Sequence, residues 1–196
     1  LNSQRVPQKN IRPLGGLPLV NYAMRAVSCV PLIDETVIFA SEPSICGYIE
    51  GGIRYRYLQR PVSLDTQTAK VQDLIGEFLK VNDAGVVVMF HLTSPFLRPA
   101  TIADVLEKVI SGEYDSAFTA FEVSGKCWFE GMPLNHDVND PLERVTGAVV
   151  VEHSLYVFKR EVFEKTGQRI SEKPYVKVID HFEGHDIDTP EDFRIA

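Results

Sequence analysis

Cysteine is scarce in this chain and scattered: Cys29, Cys46 and Cys127 form no C-x-x-C pair. An odd, dispersed set of thiols argues against a disulfide framework or a cysteine-built zinc site, and predicts reduced thiols in a cytoplasmic protein. No apolar run is long enough to span a bilayer and no signal peptide is visible, so neither a membrane nor an exported protein is expected. Positive charge is not in excess either. The formal net charge of −7 disfavours a general nucleic-acid binder, so any anionic ligand needs a local basic site. Also missing are the G-x-x-x-x-G-K-[ST] of a P-loop, the G-x-G-x-x-G of a dinucleotide fold, and a G-x-S-x-G elbow around Ser154. Repeats and low-complexity tracts are absent. What remains is an ordinary soluble composition over 196 residues, enough for one domain with one core.

The most informative stretch is the first. Asn2 to Leu19 gathers Arg5, Lys9 and Arg12, three prolines, and Asn, Ser and Gln side chains ahead of an amphipathic segment. Arg and Lys neutralise phosphate charge, while backbone N–H groups and small polar side chains supply directional donors, so the stretch reads as an anion-binding loop. Beyond it, apolar spacing predicts helices over Leu17–Cys29, from Val71 to Leu79, over Ile102–Ile110, and briefly after Arg160. Strands are expected at Thr36–Ala40, Ile53–Leu58, Gly85–Phe90, Ser116–Val123, Leu155–Phe158 and Tyr175–Ile179. Ser41-Glu42-Pro43 reads as a further helix start. Gly85–Phe90, apolar on both faces, has the pattern of a central parallel strand. Alternation of strands and helices implies an α/β domain, a parallel sheet covered on both faces, with ligands at the carboxyl ends of its strands. Residues Gly125 to Glu152 break the alternation and are expected to leave the sheet as a partner-binding arm of the single domain, 1–196.

Three clusters carry candidate chemistry. Asp186 and Asp188 flank Ile187; on an extended segment residues i and i+2 point the same way, so both carboxylates can face one hard divalent cation such as Mg2+. As turn formers they would need no metal. The following Thr189-Pro190-Glu191-Asp192 is explained by helix capping alone. His181 and His185 nearby offer a transition-metal alternative, weakened by Gly184. His91, Thr93 and Ser94 follow the strongest strand, as ligand contacts or as plain turn chemistry. Arg60, after another strand, reads as a surface charge or as a reach toward a base or phosphate.

Read in order, these segments resemble the CMP-N-acetylneuraminate synthetase (acylneuraminate cytidylyltransferase) family of sugar-acid cytidylyltransferases. The resemblance rests on Asn2-Ser3…Pro7-Gln8-Lys9-Asn10…Leu14-Gly15-Gly16, on Arg60-Pro61 with Asp65-Thr66-Gln67-Thr68, on Thr93-Ser94-Pro95, and on Asp186-Ile187-Asp188-Thr189. Arg98 lies one position beyond its expected place. His91 stands where the family has Gln, and His153-Ser154 where it has Asn-Gly. The resemblance implies a Rossmann-like three-layer domain of nucleotide-diphospho-sugar transferase type, a homodimer joined through the 125–152 arm, and Mg2+ held by Asp186 and Asp188. It implies an enzyme that joins CTP to a 3-deoxy-2-keto sugar acid such as sialic acid, releasing pyrophosphate. By position, Ser3, Arg5, Lys9 and Asn10 would hold the nucleotide, with Arg60 and Thr68 reading cytosine. His91, Thr93, Ser94 and His153 would face the sugar, and Lys9 and Asp186 would be catalytic. Another nucleotide or acceptor, or a non-catalytic nucleotide-binding homologue, are the alternatives.

Overall fold

The structure, a computed structural model, describes residues 6–66, 68–137, 139, 141 and 147–196, the side chains of Glu152 and His153 excepted. In chain order, a 3-10 turn (Lys9–Ile11) leads to the short hairpin β1 (Pro13–Leu14) and β2 (Leu17–Pro18), then α1 (Val20–Ser28) and β3 (Val37–Ala40). After a 3-10 segment (Pro43–Tyr48) come β4 (Arg56–Gln59), α2 (Val71–Val81), β5 (Val86–Phe90), α3 (Pro99–Ile110) and β6 (Ser116–Val123). A second hairpin, β7 (Trp128–Phe129) and β8 (Met132–Pro133), precedes β9 (Ala148–Lys159), α4 (Arg160–Thr166), β10 (Tyr175–Val178) and α5 (Pro190–Ile195).

The main sheet has the order β10-β6-β9-β5. β10 runs parallel to β6, and β9 runs antiparallel to both β6 and β5, so β5, β6 and β10 share one direction. β3 and β4 form a separate parallel pair. Layering follows from side-chain alternation on the strands. Val86, Val88 and Phe90 of β5, with Leu155 and Val157 of β9, pack on α1 and the Ile102, Val105, Leu106 and Val109 stripe of α3. Val87 and Met89, with Phe158, face the opposite way, onto Ile75 and Leu79 of α2 and Phe163 of α4. Helices therefore cover both faces, the expected three-layer α/β arrangement. Phe158 is fully buried at its centre, and its truncation to Ala would cost roughly 3–5 kcal/mol.

Helix ends follow local chemistry. Pro99 at the first position starts α3, and α4 stops at Gly167, whose φ of 67° is the left-handed conformation that ends helices. The start expected at Ser41 yields a 3-10 segment whose N-cap position is Glu42, without a side-chain capping hydrogen bond, while Ser41 is buried and hydrogen-bonded to Asp65.

Three expectations are corrected. β5 lies at an edge of the four-stranded sheet among the described residues, not at its centre, and its only ladder is antiparallel. The strand expected from Ile53 begins at Arg56, because Ile53 and Tyr55 pack against the cluster formed by Ile11, Val20, Met24, Ile38 and Ile45. Residues 148–152, expected in the protruding arm, extend β9 and pair with β6 through Ala148↔Val123 and Val151↔Ala120. What leaves the sheet is the β7–β8 hairpin; residues 138, 140 and 142–146 of the expected arm lie outside the described residues.

Candidate active site

The 3-10 turn Lys9–Ile11 is set by Gln8, whose φ of 54° reverses the chain, and by Ile11, which drops into the cluster with Ile38, Ala40 and Leu92. That packing holds the opening loop against the carboxyl ends of β3 and β5. Leu14 and Leu19 meanwhile pack on Ile187, alongside Phe193 of α5, so the two chain ends are joined by apolar contact. Arg12 lies 4.8 Å from the Phe193 ring centroid and adds a cation–π contact there.

Between these anchors Lys9 is 9% exposed. Its Nζ donates to the Ile187 carbonyl at 2.7 Å and pairs with Asp188 Oδ1 at 3.1 Å. Ile187 is fully buried, and its N–H donates to the Thr93 carbonyl at 2.8 Å. Asp186 and Asp188 flank this buried residue. Asp186 Oδ1 is buried and accepts no hydrogen bond among the described residues. A buried carboxylate oxygen without donors costs free energy unless a cation meets it.

The capping of α5 fixes this segment. Asp192 Oδ2 accepts from Thr189 N at 2.7 Å, Thr189 Oγ1 at 2.8 Å and Asp188 N at 3.0 Å, while Thr189 Oγ1 accepts from Asp192 N at 3.2 Å. The Thr189 hydrogen bonds hold the Asp192 carboxyl below its ordinary range, against a smaller opposing effect of burial. The capping reading of this segment is correct, and it also positions Asp188.

The donor set suits one class of metal. Two carboxylates with no third His, Cys, Asp or Glu alongside, among the described residues, leave positions for water and phosphate oxygens. The transition-metal alternative is not supported: His181 packs on Phe121, ring centroids 4.7 Å apart, and His185 Nε2 meets the Asp192 carbonyl at 3.0 Å. All three cysteines are free thiols.

The turn after β5 makes the adjoining wall. Ser94 is fully buried, its N–H donating to the His91 carbonyl at 3.2 Å, and its hydroxyl has no hydrogen bond among the described residues. His91 and Thr93 are half-buried. The His91 N–H donates to the Ser154 carbonyl at 3.0 Å, and the His91 ring lies 6.2 Å from that of Tyr156. Ser154 sits where β9 slips register against β6: Phe118 pairs with Tyr156, but Ala120 pairs with Val151. Irregularities of this kind terminate pairing and re-aim side chains beside sites. His153 belongs to this irregularity, and its side chain lies outside the described residues.

Arg60 and Thr68 are less committed. Arg60 Nη2 donates to Asp65 Oδ1 at 2.5 Å, and Arg60 N–H donates to the Ala40 carbonyl at 3.0 Å, which sets them at the carboxyl ends of β3 and β4. Burial pushes the Asp65 pKa up, but hydrogen bonds from Ser41 and Arg60 outweigh it and hold the carboxyl low. Thr68 is exposed, its hydroxyl 3.3 Å from that of Thr66, and Asn10 is half-buried beside Lys9. Ser3 and Arg5 lie outside the described residues. Lys9 and Asp188 thus meet directly, and Ile187, which also contacts Lys9, joins them to the Thr93 backbone; Asp186 precedes Ile187 and makes no direct contact of this kind among the described residues. Arg98 is taken up elsewhere, by Asp180 at 2.8 Å and Glu183 at 3.4 Å. Tyr156 and the Arg169 stacked on it are members of this wall that sequence reasoning missed.

Comparison with known proteins shows the family and the fold. An N-acylneuraminate cytidylyltransferase A from Danio rerio is 25% identical over 206 residues, covering 99% of this chain and 47% of the relative. The chain therefore spans about half the length of that protein, as it does of the N-acylneuraminate cytidylyltransferase of Oncorhynchus mykiss. An 8-amino-3,8-dideoxy-manno-octulosonate cytidylyltransferase from Shewanella sediminis is 24% identical over 232 residues, covering 99% of this chain and 92% of the relative. Among solved structures, a CMP:2-keto-3-deoxy-manno-octonic acid synthetase complexed with CTP superposes with a TM-score of 0.75 at 13% identity, covering 99% of this chain and 92% of that one. The 4-diphosphocytidyl-2C-methyl-D-erythritol synthase of Anaerococcus prevotii gives 0.64 at 17%, covering 94% and 88%, a likeness of fold. Residues 1–187 match the family described as Cytidylyltransferase, and the chain belongs to that family.

Proposed function

We propose that this chain is an Mg2+-dependent cytidylyltransferase that joins CTP to a 3-deoxy-2-keto sugar acid. The observation that carries this reading is Asp186 Oδ1, buried and without a hydrogen bond among the described residues, beside a buried Lys9 held on Ile187 and Asp188. The relatives whose names specify N-acylneuraminate and amino-octulosonate acceptors supply the acceptor class.

In this reading the anomeric hydroxyl oxygen of the sugar acid bonds to the α-phosphorus of CTP. The bond from that phosphorus to the bridging oxygen breaks, pyrophosphate leaves with the electron pair, and the hydroxyl proton passes to solvent. Such a displacement needs alignment and charge neutralisation more than covalent help from the protein. Lys9, fixed on Ile187 and Asp188, presents an ammonium to the phosphates. Asp186 and Asp188 would hold Mg2+, which neutralises phosphate charge and acidifies a coordinated hydroxyl when bound. Asn10 would hold the nucleotide, Arg60 and Thr68 would read the base, and His91, Thr93 and Ser94 would face the sugar; the nucleotide role of Ser3 and Arg5 and the sugar role of His153 rest on the family resemblance alone.

A homodimer belongs to the same reading. The β7–β8 hairpin carries Trp128, Phe129, Met132 and Leu134 exposed, and Val149, Val150 and Val151 of β9 are exposed as well. Exposed apolar area on this scale marks a surface that another chain covers, and a second copy is the expected occupant. Free thiols suit a cytoplasmic location, and no helix among the described residues is long and apolar enough to cross a membrane.

The test is pyrophosphate release from CTP and Mg2+ with N-acetylneuraminate, 3-deoxy-manno-octulosonate and related acids, each with an EDTA control. Release with one acid, abolished by EDTA, is expected. Release that survives EDTA contradicts the metal assignment, and turnover of a purine nucleotide in preference to CTP contradicts the base assignment.

A further inference from the structure

Arg169 lies in the loop between α4 and β10 and has no part in the chemistry described so far. Its guanidinium carbon is 3.4 Å from the centroid of the Tyr156 ring, and its Nη1 is 3.4 Å from Met89 Sδ. Tyr156 is 2% exposed, and it pairs with Met89, the penultimate residue of β5. The guanidinium is thus pinned to the sheet just before the turn that carries His91 and Thr93. Contacts lead from it to the phosphate side: Tyr156 to the His91 ring, Thr93 to Ile187, and Ile187 to Lys9.

Its charge is what requires explanation. Among the described residues the half-buried arginines are Arg60, Arg160 and Arg169. Arg60 is neutralised by Asp65, and Arg160 by Glu164 and Asp83. Arg169 has no carboxylate partner among the described residues, although burial pushes its pKa down, with Tyr156 opposing. Stacking on an aromatic face offsets part of the cost of that desolvation, and a thioether is a weak acceptor, so most of the five N–H donors remain available. A planar fork of donors stacked on a ring that neighbours His91, and short of an anion, matches a carboxylate.

We infer that Arg169 binds the carboxylate of the acceptor sugar acid and is a specificity-determining residue of this site. The inference rests on the proposed function, since it takes the acceptor to be an acid. It divides the anions between two cationic centres, the triphosphate on Lys9 and the metal carboxylates, the acceptor carboxylate on Arg169.

The test compares wild type, R169Q and R169K, using whichever acid wild type turns over and the methyl ester of that acid. Acceptor KM and kcat come from pyrophosphate release, and CTP affinity from calorimetry. R169Q is expected to raise the acceptor KM about 10- to 100-fold with CTP affinity unchanged, and R169K to recover part of the loss. Wild type is expected to prefer the acid over the ester by a similar factor, a preference that R169Q loses. Full acid-over-ester preference in R169Q overturns the inference, whether its CTP affinity falls, which would make the anion a phosphate, or its melting temperature falls alone, which would make Arg169 structural. No release from wild type with any acid overturns the proposed function and this inference with it, a failure visible without any variant.

Discussion

The two ends of the proposed nucleotide site are built in different ways. At the end assigned to phosphate, Lys9 meets Ile187 and Asp188, 178 and 179 residues away in sequence, and its contact with Ile187 is buried. At the base end the contacts are local: Arg60 with Asp65, five residues on, and Thr66 with Thr68, two residues on and exposed. Long-range contacts make the first end part of the fold, so its charges are pre-placed before a ligand arrives, as electrostatic stabilisation requires. The second end is a set of turns whose side chains neutralise each other until a ligand intervenes. In the proposed function, chemistry would therefore belong to the rigid end and nucleotide choice to the adjustable one.

Mutations should separate these roles. D186A is expected to lower pyrophosphate release by about 10³-fold. It should leave the unfolding free energy within about 1 kcal/mol of wild type, since the buried oxygen it removes makes no hydrogen bond among the described residues. Steady-state assay with thermal melting checks both. K9M is expected to cost about 10²-fold in rate and also roughly 2–3 kcal/mol in stability, because it removes the donor that ties the opening loop to Ile187. Loss of activity without loss of stability in K9M would break the claim that this end is structural as well as chemical. At the base end, T68A is expected to raise the KM for CTP about 3- to 10-fold, with an unchanged melting temperature and reduced preference for CTP over UTP.

A smaller effect tests how Asp188 is positioned. The folded pKa of Asp192 is depressed by its hydrogen bonds from Thr189, so the unfolded state binds more protons and stability rises with pH through this window. The contribution is fully present above the ordinary carboxylate range and is lost as pH falls through the depressed folded value. Urea midpoints measured from acid to neutral pH should show that limb in wild type and a flatter one in D192N. D192A should cost roughly 1 kcal/mol at neutral pH.

Much of this was legible in the sequence, and the exceptions have physical causes. Apolar runs marked β5, β6 and β10 because side-chain period survives any topology, but period carries no direction. The antiparallel course of β9 and the edge position of β5 are thus absent from it. Ala148-Val149-Val150-Val151 is a strand-like run, yet it follows a Gly- and Pro-containing stretch whose irregular composition masked the return to the sheet. The aspartate pair and Lys9 were each conspicuous by residue type, but nothing local joins them; Leu14, Leu19 and Ile187 packing together does. Arg169 gave no signal at all, because a lone Arg after Gly167-Gln168 becomes notable only once Tyr156 is found beneath it.

The claim that Asp186 and Asp188 complete a metal-triphosphate site is tested most directly by titrating CTP into wild type and D186N by calorimetry, with Mg2+ and with EDTA. Wild type should bind CTP more tightly with Mg2+ than without, and D186N should bind it equally in both. An Mg2+ enhancement of the same size in D186N would contradict the assignment.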